Sequence, residues 1–309
     1  MEEGAVVAEG LTKRYGDFTA VDGINLTVKR GEIYGLLGPN GAGKTTTVRM
    51  LTTLTQITSG NAWVNGYSVR EEPLLVKRSI GLVPDVSNLY DELTVEENLL
   101  FAARLYNAPI ERVRELIREF DLPANKKFGK LSSGFKRRTT IAAALVHRPE
   151  VLFMDEPTTA LDVSSARNVR NLIRLLNKEG ITVFITTHNM IDAESLPHRI
   201  GIIKEGKIIA EGKGRELKEL MGKGMVVKLL VEPITSKLIN EIEAYSPTFD
   251  EGFIVVTVED VDEFLEELFD LKMRLGFKVK RISTELPTIE DVFVELTERN
   301  GCSCGGCPL

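Results

Sequence analysis

The stretch Gly38-Pro-Asn-Gly-Ala-Gly-Lys-Thr-Thr46 constrains the fold of this chain more than any other feature of the sequence. It matches the pattern G-x-x-x-x-G-K-[ST], in which backbone N–H groups surround phosphate oxygens. An apolar run, residues 33–37, precedes it, and a helix-compatible run, residues 45–54, follows it. This strand–loop–helix order is the context that the pattern requires, so we predict a phosphate-binding loop in an α/β fold.

Each residue type in this loop has a physical role in holding a nucleotide. Glycine lets the backbone curl around phosphate without a Cβ clash. Lys44 is expected to reach the β- and γ-phosphates, and the Thr45 hydroxyl is expected to ligate Mg²⁺. The nucleotide-binding residues predicted in the loop are Gly38, Asn40, Gly41, Gly43, Lys44, Thr45 and Thr46.

Length and charge limit the partners of the chain. Its 309 residues allow one large domain and a smaller one. The net charge of −6 gives no basic footprint, so no nucleic-acid partner is expected. The apolar runs are too short to span a bilayer, and the first residues do not resemble a signal peptide. We therefore expect a cytoplasmic protein that acts at a membrane only through a partner's transmembrane spans.

The three cysteines, Cys302, Cys304 and Cys307, are confined to a glycine-rich terminal segment. Their absence from the preceding residues excludes a disulfide framework there. Two alternatives stay open for the segment, a site for a soft metal and a flexible tail with reduced thiols. The tail is favoured because three thiolates lack the fourth ligand of a closed structural zinc site.

Four short apolar runs each end in a polar cluster. The clusters are residues 38–46, Asp85, Asp155 with Glu156, and Thr187 with His188. Helix-compatible segments separate the runs, which is typical of a mainly parallel sheet. Such sheets bind ligands at the carboxyl ends of their strands, so we predict that the four clusters converge on one nucleotide.

The run Val151-Leu-Phe-Met-Asp155 consists of four apolar residues followed by an acid. Downstream of a phosphate-binding loop, Asp155 is expected to hold Mg²⁺ while Lys44 and the metal neutralise phosphate charge. Glu156 is expected to orient or polarise an attacking water. The residues thus predict hydrolysis of a nucleoside triphosphate.

The remaining patterns predict a chain of several modules. The fold class is α/β, a P-loop NTPase with a mainly parallel central sheet, an N-terminal antiparallel β subdomain and a helical subdomain at about residues 90–148. Thr94-Val-Glu-Glu97 is a capping-box start for a helix of that subdomain. A linker at residues 212–224 leads to a small C-terminal α+β domain with a regulatory or docking role. The predicted boundaries are 1–220 for the nucleotide-binding domain, 221–300 for the small domain and 301–309 for the Cys/Gly tail.

The order of the motifs resembles the nucleotide-binding subunit of an ABC transporter over residues 5–220. Besides the P-loop, the resemblance rests on Leu131-Ser-Ser-Gly-Phe135 at the family signature Leu-Ser-Gly-Gly-Gln, on the D-loop Ala160-Leu-Asp162 and on the switch histidine, His188. It implies a head-to-tail dimer in which Ser132 and Gly134 of the second subunit cap the ATP. That subunit is a second copy of the chain or a sister ATPase, and the complete set of site residues favours identical halves. The resemblance also implies catalysis by Lys44, Glu156 and His188, with Asp162 at the same site.

The resemblance further implies the cofactors ATP and Mg²⁺, a transmembrane permease subunit as partner, and a position at the inner face of the cell membrane. Tyr15 matches the aromatic residue that stacks on adenine in the family. From its spacing alone, Tyr15 could equally be a half-buried aromatic residue of a strand.

Two positions depart from the family pattern. Asp85 stands where the family has a glutamine that contacts Mg²⁺ and links the site to the membrane partner. Aspartate is shorter and charged, so it can bind Mg²⁺ only in a different way, and coupling through Asp85 stays open. Ser133 and Phe135 replace a glycine and the glutamine of the signature, whereas Ser132 and Gly134 are retained.

The segment 286–297 resembles the closing segment of ATPases from drug- and polyketide-resistance exporters of the ABC-2 type. A subunit that powers an exporter is therefore the main interpretation. One alternative is a non-transport ABC ATPase acting on a soluble macromolecular machine. Another is a regulator that binds ATP without hydrolysing it, for which Asp85 leaves some room. The sequence does not identify a transported substrate.

Overall fold

The computed structural model of the chain describes residues 4–219, 224–250, 252–285 and 288–298. The chain divides into two compact units, Met1–Gly214 and Arg215–Leu309. The division falls inside the predicted linker, somewhat before the predicted boundary at residue 220. The three cysteines lie outside the described residues, so their predicted alternatives stay open.

The elements of the first unit alternate between strands and helices over most of its length. Its strands are β1 (Val6–Tyr15), β2 (Phe18–Val28), β3 (Ile33–Leu37), β4 (Ser59–Val64), β5 (Tyr67–Ser68), β6 (Ile80–Val83), β7 (Val151–Asp155), β8 (Thr182–Thr187), β9 (Arg199–Lys204) and β10 (Lys207–Gly212). Its helices are α1 (Lys44–Leu51), α2 (Pro73–Ser79), α3 (Val95–Leu105), α4 (Ile110–Glu119), α5 (Ser133–Ala144), α6 (Val163–Lys178) and α7 (Met190–Ser195).

A six-stranded sheet in the order β10-β9-β3-β8-β7-β6 forms the centre of this unit. Its neighbours pair in parallel from β9 to β6, and β10 adds an antiparallel edge. Every residue of β3, β7 and β8 is buried, as expected for strands covered on both faces. The predicted mainly parallel sheet is confirmed. Because these strands are parallel, the residues that follow β3, β6, β7 and β8 lie at the same end of the sheet, next to the carboxyl ends of the strands. We call this end the carboxyl edge.

The N-terminal antiparallel β subdomain is also confirmed, as a sheet in the order β2-β1-β4-β5. Asn65 and Gly66 close the hairpin of β4 and β5 with φ angles of 52° and 84°. Positive φ at both positions is the geometry of a type I′ turn, for which Asn-Gly is the preferred pair.

The helical subdomain begins as its capping box predicts. The backbone N–H of Glu97 donates to Thr94 Oγ1 at 3.2 Å, and that of Thr94 donates to Glu97 Oε2 at 2.7 Å. Helices α3, α4 and α5 then bury their apolar faces in one core cluster. Helix α2 was not predicted, because Val76 is its one buried residue and leaves no periodic apolar pattern.

The second unit is an α+β structure with its own apolar core. Helix α8 (Gly214–Glu219) begins at the division and occupies part of the predicted linker. The other elements are β11 (Met225–Glu232), α9 (Ser236–Glu241), β12 (Thr248–Asp250), β13 (Phe253–Val258), α10 (Val261–Leu275), β14 (Lys278–Glu285) and α11 (Ile289–Glu298).

The sheet of this unit is antiparallel, in the order β12-β13-β11-β14. The sequence missed β12, whose three residues are all exposed and show no alternation. Helix α10 begins after its cap residue Asp260 and ends at Gly276, whose φ is 76°. Among the residues that the structure describes, no helix has the length and apolar composition needed to cross a bilayer.

Candidate functional site

The loop between β3 and α1 has the backbone shape of a phosphate cradle. Gly41 and Gly43 adopt φ angles of 82° and 107°, which disfavour any residue with a Cβ. A Cβ on Gly43 would lie 2.5 Å from the Ala20 carbonyl oxygen, and one on Gly38 would lie 2.5 Å from that of Ile203. Glycine is therefore required by close packing against β2 and β9 as well as by backbone conformation.

The polar residues of the loop differ in their surroundings. Asn40 and Thr45 are exposed and Thr46 is half-buried, so all three can be reached from solvent. Lys44 is buried, and its ammonium donates to the carbonyl oxygens of Gly38 at 2.7 Å and Pro39 at 3.2 Å. Helix α1 begins at Lys44, one residue before the predicted start.

Lys44, Glu156 and His188 meet at the carboxyl edge of the central sheet. Glu156 Oε1 lies 3.3 Å from Lys44 Nζ and 2.8 Å from His188 Nδ1. Only 10% of the Glu156 side chain is exposed, against 44% for His188. The carboxylate thus joins Lys44 to the residue after β8, although 112 positions of sequence separate Lys44 from Glu156.

The backbone at Glu156 is held in an uncommon conformation. Its φ is 48°, and its N–H donates to the carbonyl oxygen of Thr186 at 3.1 Å. The Glu156 carboxylate also accepts hydrogen bonds from the His188 N–H and the Thr159 hydroxyl, both at 3.3 Å. Asp155, the last residue of β7, is buried and accepts a hydrogen bond from the Thr186 hydroxyl.

Asp85 lies after β6 and is half-exposed, with Arg137 Nη2 3.9 Å from its Oδ1. Desolvation raises the pKa of Asp85, and the Asp155 and Glu156 carboxylates add to the rise while Arg137 opposes it. Because β6 pairs with β7 in parallel, Asp85 lies at the same end of the sheet as Asp155 and Glu156. The convergence of the four clusters on one nucleotide stays a prediction.

Arg137 is a residue of this site that the sequence reasoning missed. It lies on α5, is buried, and donates to backbone carbonyl oxygens on both sides of the site. Burial lowers the pKa of the Arg137 guanidinium, and the carboxylates of Asp85, Asp155 and Glu156 oppose that change. The sequence did contain a signal for the burial of Arg137. At spacings of three and four residues, Arg137 shares one face of the helix with Gly134 and Ile141.

The residues of the signature segment lie at the start of α5. The helix begins at Ser133, with Ser132 as N-cap. Ser132 is exposed and makes no side-chain hydrogen bond to the helix backbone, so it does not behave as an ordinary capping residue. A Cβ on Gly134 would lie 2.4 Å from Ser165 Oγ, so close packing of α5 against α6 requires glycine there.

Asp162 of the D-loop caps helix α6. Its Oδ1 accepts from the Ser165 N–H at 2.9 Å and from the Ser164 hydroxyl at 2.8 Å. These hydrogen bonds hold the pKa of Asp162 well below its usual range, so the carboxylate stays ionised. The described contacts of Asp162 are thus those of a helix cap, and its role at a nucleotide stays a prediction.

Tyr15 is 49% exposed at the end of β1. Lys13 Nζ lies 4.8 Å from the centroid of its ring. An exposed ring leaves room for a stacked base, so both alternatives for Tyr15 stay open. The other two histidines are structural: His198 Nδ1 accepts from the Ile33 N–H at 3.1 Å, and the ring of His147 stacks on Tyr106 at 3.8 Å.

Known proteins resemble both the sequence and the fold. Residues 21–159 match the family described as ABC transporter. The chain is 37% identical over 309 residues to a daunorubicin resistance ATP-binding protein of Streptomyces coeruleorubidus, covering 96% of each protein. It is 36% identical over 316 residues to Nod factor export ATP-binding protein I of a Rhizobium species, covering 97% of this chain and 99% of that protein. A solved dimeric ATP-binding cassette in a post-hydrolysis state, bound to ADP and Pi, has 30% identity and a TM-score of 0.62, covering 67% of this chain and 98% of that one.

Proposed function

The chain belongs to the ABC transporter family of ATP-binding proteins, and we propose that it is the ATP-hydrolysing subunit of a membrane exporter. The observation that carries the proposal is the meeting of Lys44, Glu156 and His188 beside a glycine-shaped phosphate loop. Export as the direction of transport is supported by the names of two relatives, which describe drug resistance and Nod factor export. Both relatives align with the chain over almost their whole length.

Each member of this cluster has a role in hydrolysis. The γ-phosphate of ATP displaces Lys44 from Glu156, and the lysine then neutralises phosphate charge. Glu156 accepts a proton from a water whose oxygen attacks the γ-phosphorus, while the bond from that phosphorus to the bridging oxygen breaks. ADP and inorganic phosphate leave. His188, 2.8 Å from the carboxylate, holds Glu156 in place and contacts the transferred group.

The donor set fits Mg²⁺. Within the described residues, no three His, Cys, Asp or Glu side chains gather to hold a metal by themselves. Mg²⁺ takes one or two protein oxygens and completes its shell with water and phosphate, which suits Thr45 and Asp155, with Asp85 nearby. The bound ion supplies positive charge that offsets the charge of the phosphates. Removal of Mg²⁺ by EDTA should therefore stop hydrolysis without unfolding the chain.

A second copy of the chain completes the site in this proposal. Ser132 is exposed at the start of α5, and a helix N-terminus attracts phosphate oxygens. The likeness to a dimeric cassette supports a head-to-tail pair in which Ser132 and Gly134 of one copy face the ATP of the other. Binding of ATP closes the pair, and hydrolysis opens it.

An apolar groove between the central sheet and the helical subdomain is the proposed docking site for the permease. It encloses a cavity of about 350 Å³. Large apolar side chains line it while remaining 42–69% exposed: Leu54, Tyr90, Phe101 and Leu105. The partner that fits is an amphipathic helix from a cytoplasmic loop of a membrane protein, which lays its apolar face in such a groove. Docking there places the chain at the inner face of the cell membrane.

Purification of the tagged chain from its native membranes in mild detergent tests this proposal. We expect a protein with several transmembrane spans to co-purify. The Leu105→Glu variant should lose that protein and retain ATP hydrolysis, whereas Leu74→Glu, a matched change on α2 outside the groove, should retain both. Recovery of a free dimer, or of ribosomal proteins, would reject transport.

A further inference from the structure

The guanidinium of Arg137 connects two segments of the site through their backbones. Nη1 donates to the Pro84 carbonyl oxygen at 2.7 Å, and Nη2 donates to those of Asp85 and Glu156, both at 3.1 Å. The side chain is only 7% exposed, so water does not compete for these carbonyl groups. A planar guanidinium carries its donors on separate nitrogens in fixed directions, so it reaches all three acceptors at once, whereas an ammonium carries its three donors on one nitrogen and fixes no direction.

The conformation of Glu156 depends on such anchoring. A glutamate at φ 48° is strained, and it stays there only when its surroundings determine it. Its N–H is held by Thr186 and its carbonyl oxygen by Arg137, so both peptide groups around its Cα are fixed. The direction of the carboxylate toward Lys44 and His188 follows from these two anchors.

The same helix also holds the loop that follows β6. The hydroxyl of Ser87, in this loop, lies within hydrogen-bonding distance of the hydroxyl of Thr140 at 2.8 Å. Thr140 lies on α5, three residues after Arg137. The loop continues through Asn88 and Leu89 into the wall of the apolar groove. Displacement of this loop at the groove therefore pulls on the carbonyl groups that Arg137 binds, and through Arg137 on Glu156.

We propose that Arg137 is a positioning residue that holds Glu156 in its hydrolytic conformation and links it to the loop 84–90. The proposal rests on the proposed function for the role of Glu156, but it does not require docking of a permease. It predicts an effect on the rate of hydrolysis and not on nucleotide affinity, because Arg137 bonds only to backbone carbonyl groups and to Asp85 in the described contacts.

The test compares Arg137→Lys and Arg137→Met with Arg138→Lys. Arg138 is the neighbouring residue, whose Nη1 donates to the Phe120 carbonyl oxygen away from the site. We expect Arg137→Lys to lower kcat at least tenfold and Arg137→Met to lower it further, with KM for ATP within about twofold. Arg138→Lys should keep both constants.

A second comparison shows whether Arg137 acts through Glu156. In the Glu156→Gln background the base is already absent, so Arg137→Lys should cause no further loss of residual hydrolysis. Binding of a fluorescent ATP analogue by the double variant should match that of Glu156→Gln alone. A further loss equal to the one in the wild-type background would overturn the positioning role.

Other outcomes separate a positioning role of Arg137 from a purely structural one, and from failure of the proposed function. Unfolding of both Arg137 variants, or a parallel loss of kcat and ATP affinity with a lower melting temperature, means that Arg137 serves only the stability of the fold. Arg137→Lys keeps the buried cation, so it carries the test if Arg137→Met does not fold. A wild-type chain that neither binds nor hydrolyses ATP refutes the proposed function itself. Normal wild-type turnover with an unaffected Arg137→Lys variant refutes only the role of Arg137.

Discussion

Replacing Glu156 by glutamine should change turnover and ATP affinity in opposite directions. The substitution keeps the shape of the side chain and removes the charge that accepts a proton from water. Loss of a positioned general base lowers rates by about 10²–10⁴-fold, or about 3–5.5 kcal/mol of barrier. We therefore expect phosphate release at saturating Mg-ATP to fall by at least a hundredfold.

The effect on affinity follows from the 3.3 Å pair of Lys44 with Glu156. At an effective dielectric constant of 20, two unit charges at this separation attract by about 5 kcal/mol before desolvation is subtracted. ATP must break this pair, and glutamine still offers Lys44 an uncharged acceptor. Desolvation offsets most of the attraction within a buried pair. We take the net difference as about 1 kcal/mol, which makes binding about fivefold tighter in Glu156→Gln.

Phosphate release and calorimetric titration with a non-hydrolysable ATP analogue measure the two quantities separately. Glu150→Gln is the matched control, since Glu150 precedes the same strand at its other end and pairs with Arg30 on the surface. It should change neither quantity. Hydrolysis by Glu156→Gln at the wild-type rate would refute the role of Glu156 as general base. Unchanged or weaker ATP binding would refute the claim that the ion pair of Lys44 with Glu156 opposes ATP binding.

Three further predictions concern the scaffold of the site. Gly43→Ala should abolish nucleotide binding and lower the melting temperature. A φ of 107° strains alanine by about 1–3 kcal/mol, and the Cβ of alanine would meet a carbonyl oxygen of β2. Normal nucleotide binding by this variant would contradict the prediction. Asp192→Ala should cost about 3–5 kcal/mol in urea unfolding, since it leaves Arg170, whose side chain is 13% exposed, without its partner at 2.6 Å; a loss below 1 kcal/mol would contradict this. Hydrogen bonds with Thr94 lower the pKa of Glu97, so its stabilising charge is present at pH 7 and is lost as the pH falls through that lowered value. Glu97→Gln should therefore melt below the wild type at pH 7, and the gap should close in acid; a gap independent of pH would count against the capping box.

The sequence predicted best where one local rule determines the structure. Glycine spacing indicated the loop before Lys44, an apolar run followed by an acid indicated β7 and Asp155, and the pair Thr94 and Glu97 indicated the start of α3. Each of these patterns is complete within a few residues. The exposed strand β12 and the short helix α2 lack such a pattern, because neither buries a periodic apolar face.

Contacts between distant segments were harder to predict. The pairing of Lys44 with Glu156 depends on how β3 and β7 lie on either side of β8, which sequence spacing does not encode. Arg137 stands between two other basic residues, Lys136 and Arg138. A run of three basic residues is typical of a solvent-exposed surface, so the run by itself does not indicate that Arg137 is buried. The spacing of Arg137 from Gly134 does place it on the inner face of α5. The backbone carbonyl groups that accept its hydrogen bonds, however, come together only in the folded chain.

The order of strands in the central sheet also bears on synthesis. Strand β3 pairs with β8 on one side and β9 on the other, and both are made long after it. A ribosome therefore releases β3, with its adjoining glycine loop, while both of its hydrogen-bonding edges lack their partners. Unpaired strand edges in incomplete chains invite association with other chains. The glycine loop thus emerges early but gains its supporting strands only when residue 204 has left the ribosome, and during this interval the edges of β3 are open to association with other chains.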